Sequence, residues 1–267
     1  TQPFPSKPAP LNPIYFDPDE AFGFTFWDRG YCKRTAKKLR NEGLFTPPSL
    51  QGSIHYPSGV GGNNWGGPAI DHERNIMVVN TNNMASLIVM VPREDCTKPL
   101  EELSINKNQV RFTNIELNEG APYCNLRSMG FFSPLGVPCT KPPWGTLTAI
   151  DLNNGEHLWN VPLGTSKDLA PFPFWWIKGS PNMGGPTVTA SGVTFIGATS
   201  DHYLRAFNTE TGEEIAKFRL PTGAHATPMT YTNNKGKQFV VIAAGGHWAI
   251  GTPASDHLIA FALPENN

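Results

Sequence analysis

Charge is scarce in this sequence. Only 16% of its 267 residues are Asp, Glu, Lys or Arg, and the formal net charge is −1. Neutralising a run of phosphates needs a basic surplus, so the balance argues against nucleic acid as a partner. Long apolar runs are missing as well: the longest, Phe239 to Ala244, has six residues, against the ~20 of a spanning helix. Thr1-Gln2-Pro3-Phe4-Pro5 has neither the basic nor the apolar region of a signal peptide. The Pro-rich stretch Thr1 to Pro13 reads as a linker or the interior of a longer polypeptide, so a fragment is expected. G-x-S-x-G, G-x-x-x-x-G-K-[ST] and H-E-x-x-H do not occur. Gly59 to Gly67 is glycine-rich but has no phosphate-binding Lys and no helix pattern after it, which argues against a nucleotide site. Cys32, Cys96, Cys124 and Cys139 form no C-x-x-C pair and no zinc spacing. Two disulfides and four buried thiols both fit that count.

What the sequence has in quantity is glycine and proline, 26 of each, with 39% hydrophobic residues to fill a core. One helix is predicted, from about Asp28 to Gly43, with Asp28 as its N-cap, Gly43 as its stop and Cys32, Ala36 and Leu39 facing inward. Beyond Gly52 the pattern is of short strands between turn residues: Ile76–Val79, Leu87–Val91, Val193–Ile196 and Phe239–Ile242.

Two elements repeat. Leu147-Thr-Ala149-Ile150-Asp151 with Gly155 and Trp159 recurs as Leu204-Arg-Ala206-Phe207-Asn208 with Gly212 and, in place of the Trp, Ala216. A partial third copy is Leu258-Ile-Ala260-Phe261. Each reads as a strand, a D/N-x-x-x-G turn and a returning strand. Gly66-Gly67-Pro68, Gly184-Gly185-Pro186 and Thr227-Pro228 each precede an apolar strand. A unit of this size with about four short strands is a propeller blade, so an all-β propeller of roughly four blades is predicted.

Candidate site residues lie in Gly-rich segments at strand ends, where backbone can approach a ligand closely. Asn64 and Trp65 offer an amide and a flat indole. Asp201 follows Val193–Gly197, and His247 follows Phe239–Ala244. In a propeller these places surround one central funnel, within reach of a single flat ligand. The other histidines, His225 among them, read as structural.

Asn64-Trp65-Gly66-Gly67, Pro143-Trp144-Gly145, Ala226-Thr-Pro-Met-Thr-Tyr231, Ala244-Gly-Gly-His247 and Ala260-Phe-Ala-Leu-Pro264 resemble the C-terminal part of membrane-bound quinoprotein dehydrogenases. These use pyrroloquinoline quinone (PQQ) and include glucose and quinate/shikimate dehydrogenases. The resemblance implies an eight-bladed propeller of which this chain is roughly the C-terminal half, with residues 1–25 as an extended lead-in and 26–267 as partial propeller. It implies an oxidoreductase at the periplasmic face of the bacterial inner membrane, anchored by N-terminal helices and passing electrons to ubiquinone. Carried over by position, Asn64 and Trp65 lie at PQQ, and Asn80, Asp201 and His247 support it. Asp201, an anion beside a tricarboxylate, needs a bridging Arg or Lys, a water or a protonated state, and is placed behind a neighbouring donor.

The catalytic Asp, the ligands of Ca²⁺ (or Mg²⁺) and the cofactor Lys are expected upstream, so no catalytic or metal residue is assigned here and the chain alone is expected to be inactive. Asn64, where the glucose enzymes carry an acidic residue, and Trp248-Ala-Ile-Gly251 after His247 point to quinate or shikimate; Arg127 and Lys178 are cations available to a carboxylate substrate. Glucose is the alternative substrate. A periplasmic location favours disulfides, with Cys124 paired to Cys139 or Cys96. A non-catalytic scaffold propeller is the rival reading, and it has no evident use for Asn64-Trp65 or Gly-Gly-His247. Paired glycosidase carboxylates fit worst, since Asp71, Asp151, Asp201 and Asp256 fall mostly at turns.

Overall fold

The computed structural model describes residues 4–59, 61–99, 102–103 and 114–264. One α-helix and fifteen strands follow in chain order: α1 (Phe26–Ala36), β1 (Ser53–His55), β2 (Ala69–Asp71), β3 (Ile76–Asn82), β4 (Ser86–Pro92), β5 (Asn114–Glu116), β6 (Tyr123–Arg127) and β7 (Gly145–Asp151). Then come β8 (His157–Pro162), β9 (Thr187–Val188), β10 (Val193–Ile196), β11 (Tyr203–Asn208), β12 (Glu214–Arg219), β13 (Met229–Thr232), β14 (Gln238–Ala244) and β15 (His257–Phe261). They form four antiparallel sheets, ordered β1-β4-β6-β5, β2-β3-β7-β8, β9-β10-β11-β12 and β13-β14-β15.

Two compact units share the chain. One comprises Thr1–Leu11, Asn63–Asn82 and Pro143–Asn267; the other comprises Asn12–Gly62 and Asn83–Pro142. The second unit holds α1 and the sheet β1-β4-β6-β5. Its helix starts two residues earlier than predicted. Thr25, not Asp28, is the N-cap: its hydroxyl accepts from the Asp28 amide, while the Asp28 carboxylate accepts from the Phe24 amide. This reciprocal pair satisfies the Asp28 amide of the first turn and the Phe24 amide just before the cap. The helix also ends at Ala36 instead of reaching Gly43, because Arg40 leaves it to bridge Ser53 at the edge of β1.

Cys32 on α1 is joined to Cys139, and Cys96 to Cys124. Of the two pairings expected for Cys124, Cys96 is the one formed; Cys139 is taken by Cys32, which packs beside it with Phe16, Leu87 and Phe131 in one core cluster.

The first unit holds the other three sheets. In the sheet β2-β3-β7-β8 the middle strands β3 and β7 are buried on both faces over almost their whole length, whereas β10 alternates and β14 is mostly half-buried. The predicted turns form in detail. Asp151 accepts from the Asn153 amide and Asn208 from the Glu210 and Thr211 amides, while Gly155 and Gly212 close the two turns at φ of 75° and 73°. The registers coincide, Ala149 opposite Trp159 and Ala206 opposite Ala216, each followed by a bulge.

Trp159 packs on the next sheet's turn: its indole N–H donates to the Thr209 carbonyl at 3.0 Å, and a Cβ on Gly212 would fall 2.6 Å from its ring. Ala216 has no such reach. Beside it an open groove of about 1440 Å³ runs between β9–β12 and β13–β15, lined by Phe195, Leu204, Phe218, Phe239 and Val240.

The three Gly-Pro or Thr-Pro elements meet backbone to backbone. A Cβ on Gly66 would lie 2.1 Å from the Gly185 nitrogen, one on Gly185 would lie 2.1 Å from the Gly66 carbonyl oxygen, and one on Gly184 would lie 2.7 Å from the His225 oxygen. The Gly185 amide then donates to the Thr227 hydroxyl. No side chain fits between these segments. Gly185→Ala is therefore expected to lower stability by about 3 kcal/mol, read as a fall in the midpoint of denaturant unfolding.

Candidate functional site

The loop before β2 lies at the end of β3 by their antiparallel register, and the contacts of Asn80 with Asn182, of Ala198 with His225 and of Trp65 with His247 bring the ends of β10 and β14 beside it. Asn63 donates to the Asn80 carbonyl at 3.1 Å and ties the Asn63–Gly67 loop to β3. The Asn64 side chain turns inward on its own loop, its Oδ1 accepting from the Trp65 amide at 2.7 Å. That leaves the Trp65 indole outermost, 66% exposed.

Asn80 is buried. Its Nδ2 donates to Asn182 Oδ1 at 2.6 Å and to the Gly184 carbonyl at 2.8 Å, and Asn182 is locked in turn by Asn82 and by the Thr81 carbonyl. The Asn80 Oδ1 has no hydrogen-bond partner among the described residues. A buried acceptor left unpaired costs about 1–3 kcal/mol, so this amide is an exception in an otherwise satisfied network.

His247 caps the short turn Trp248–Ile250, its Nδ1 accepting from the Ala249 amide. In the neutral ring the proton then resides on Nε2, a donor available to a ligand. The imidazole lies 6.0 Å from the Trp65 ring, tilted by 44°, and 6.0 Å from the near-parallel Trp248 ring, centroid to centroid.

His225 lies behind it, a residue that sequence reasoning left as structural. A carbonyl can only accept, so the 2.8 Å contact to Ala198 puts the His225 proton on Nδ1. Its Nε2 then accepts from the Thr252 hydroxyl at 3.0 Å, and that oxygen accepts from the His247 amide at 2.7 Å. The relay fixes the His247 turn from beneath.

Asp201 is fully buried and apart from this group. Its carboxylate accepts from the Thr165 amide and hydroxyl, the Thr199 hydroxyl and both terminal nitrogens of Arg205. Burial pushes its pKa up, but the Arg205 hydrogen bonds and charge outweigh burial and hold it below the ordinary range. With five donors in place the carboxylate has no lone pair left for a ligand. The Asp201 charge is met by Arg205, and the donors the carboxylate orients include the Thr165 amide and hydroxyl at the root of the Thr165–Lys178 loop. The structure thus brings Asn64, Trp65, Asn80 and His247 together along one rim and leaves Asp201 at a neighbouring loop. In the second unit, Arg127 is paired with Glu116 at 2.8 Å.

The four antiparallel sheets define a β-propeller domain, and the rim is a candidate site lined by aromatic and amide side chains. The PQQ family model described as the glucose/ethanol/alcohol dehydrogenase β-propeller domain matches residues 1–240, and the chain belongs to that family. It is 39% identical over 251 residues to the quinoprotein glucose dehydrogenase of Escherichia coli K12, covering 92% of this chain and 31% of that protein. It is 39% identical over 254 residues to the quinate/shikimate dehydrogenase (quinone) of Acinetobacter baylyi, covering 91% and 30%. The chain thus spans about a third of the length of these relatives. Quinohemoprotein alcohol dehydrogenase from Comamonas testosteroni shares the fold with a TM-score of 0.52 at 22% identity, covering 80% of this chain and 29% of that one.

Two outcomes follow. Burial lowers the His225 pKa to about 4, so the unfolded chain takes up this proton first. Stability is full above about pH 6.5 and falls toward pH 4 by on the order of 3 kcal/mol. Denaturation at neutral and acidic pH should show that slope, and His225→Gln should flatten it. Asp201→Ala, which leaves the buried Arg205 with Glu214 as its one carboxylate partner, is expected to cost about 3 kcal/mol and to raise hydrogen exchange across 165–178, whereas Asn64→Ala should leave both unchanged.

Proposed function

We propose that this chain is the C-terminal part of a PQQ-dependent dehydrogenase that oxidises a cyclic polyol of the quinate or shikimate kind to its ketone and passes the electrons to ubiquinone. The observation that carries the reading is the Trp65–His247 pair on one rim, a flat indole beside an imidazole with a free Nε2–H. Family membership supplies the cofactor class.

The residues fit a planar, polar quinone. Trp65 and His247 give ring faces and N–H donors, and the orphaned Asn80 Oδ1 suits a ring N–H or a cation. Bound PQQ supplies two-electron redox chemistry. This chain's own residues would bind and orient: Trp65 along the ring plane, His247 donating from Nε2, and Thr252 and His225 holding His247 in place. Arg205 is spent on Asp201 and Glu214, so cations for the cofactor carboxylates belong to the preceding part of the polypeptide. The catalytic Asp and the Ca²⁺ or Mg²⁺ ligands are assigned there as well.

The periplasmic face of the inner membrane is the proposed location. Two disulfides agree with an oxidising compartment. No helix of the described residues is long and apolar enough to cross a membrane, and an anchor is assigned to the preceding part. Glucose is the second reading, favoured by equal 39% identity to the glucose and quinate/shikimate enzymes.

The test is dye reduction by the whole polypeptide with PQQ and Ca²⁺. Quinate or shikimate should exceed glucose by about tenfold or more in kcat/KM, His247→Ala should weaken PQQ binding by about tenfold, and the 267-residue chain alone should not turn over. Glucose preference would establish the second reading, and a purified protein that takes up no chromophore would make it a scaffold.

A further inference from the structure

The short turn after β14 carries an aromatic ring beyond those assigned to the cofactor. Trp248 is 83% exposed, and its ring lies 6.0 Å from the His247 imidazole with the two planes 18° apart. Trp65 is at the same distance from the same imidazole, tilted by 44°. Two exposed indoles thus share one histidine, a grouping of apolar faces that a solvated turn does not need. The first is the proposed wall of the cofactor. The second has no part in it.

A closely tied turn holds this ring out. The Ile250 amide donates to the His247 carbonyl and the Gly251 amide to the Trp248 carbonyl, with Gly251 closing the turn at φ of 74°. The Thr252 amide donates to the His247 carbonyl at 3.2 Å, and the Ser255 amide to the Gly245 carbonyl at 2.9 Å. A Cβ on Gly246 would strike the Pro253 carbonyl, which also accepts from the Thr222 hydroxyl. With both ends of the turn fixed, the exposure of Trp248 belongs to the fold. A ring already set in place loses little freedom when a ligand arrives.

The neighbourhood of the ring is neutral. Two amides, two indoles and an imidazole with an Nε2–H donor make up the rim, while Arg205 and Asp201 are occupied by each other. An indole face beside a hydrogen-bond donor suits a saturated six-membered ring, whose C–H bonds lie against the π cloud while its hydroxyls bond at the edge. An open-chain polyol has no such flat face, and it loses more rotational freedom on being held. We propose that Trp248 is a specificity-determining residue: the ring of a cyclic polyol rests on its indole beside His247, which selects cyclic over open-chain polyols. The inference rests on the dehydrogenase reading above and adds to it the residue that recognises the substrate ring. It holds for a carbocycle and a pyranose alike.

The test uses the whole polypeptide loaded with PQQ and Ca²⁺, with quinate, shikimate and glucose as cyclic substrates and glycerol and sorbitol as open-chain ones. Trp248→Ala should raise KM for the preferred cyclic substrate by about tenfold and leave kcat within about twofold. Open-chain substrates should change by less than about twofold, and Trp248→Phe, which keeps a ring face, should stay near the wild-type KM. Saturation-transfer NMR on the reduced holoenzyme, which cannot oxidise the substrate, should mark the C–H protons of the bound ring in the wild type and lose them in Trp248→Ala. An unchanged KM in Trp248→Ala, with PQQ uptake and denaturant midpoint as in the wild type, overturns the proposal and leaves the dehydrogenase reading standing. An equal rise for cyclic and open-chain substrates overturns it too, as does a fall in PQQ uptake, which would give the ring to the cofactor. A wild type that takes up PQQ and oxidises no cyclic polyol overturns both.

Discussion

The close approach of Gly66 to Gly185 governs the site end of the first unit. Where two backbones come near enough that a Cβ would lie 2.1 Å from an atom of the other segment, packing leaves almost no latitude in how the segments meet. Asn80 bonds the carbonyl of Gly184, and Asn63 bonds the carbonyl of Asn80. The rim that carries Trp65 therefore inherits its position from glycine contacts, and the amide network is a consequence of them. Side chains at those glycines would push the segments apart and dissolve the register of donors behind the rim.

Repetition made much of the fold legible. The D/N-x-x-x-G turns, the Trp159 and Ala216 positions and the four apolar runs recur in the sequence and fall in equivalent places in the sheets, because turn chemistry and β periodicity are local. The helix bounds were misplaced for a local reason also: Thr25 and Asp28 form a reciprocal cap, and only the second of them was weighed. The interleaving of the two units was not legible, since it depends on β4 pairing with β1 across the β2–β3 hairpin, a long-range choice without a sequence signature.

The candidate site shows the same division. Asn64, Trp65 and His247 announced themselves as polar or aromatic residues at strand ends beside glycines, while Asn80 came from the family resemblance alone. Thr252 and His225 did not, because each acts through a neighbour and nothing in its spacing says so. Asp201 had the right address and a different occupation: a carboxylate surrounded by Thr165, Thr199 and Arg205 is a brace for a loop. Arg205, four residues on along a strand that returns past it, was the signal that would have revealed this.

The weave of the chain has a consequence for how the protein is made. Asn82 pairs with Gly145 and Ile76 with Asp151, so the sheet β2-β3-β7-β8 stays half-built while the second unit's segment Asn83–Pro142 emerges from the ribosome. The second unit likewise has its first strand laid down before β2 and β3 exist. Neither unit can complete itself on a contiguous stretch of nascent polypeptide, which favours slow, late assembly and prolonged display of unpaired strand edges. Cys32–Cys139 spans almost the full excursion, so an oxidase acting early would hold the ends of that detour together and shorten the search that remains.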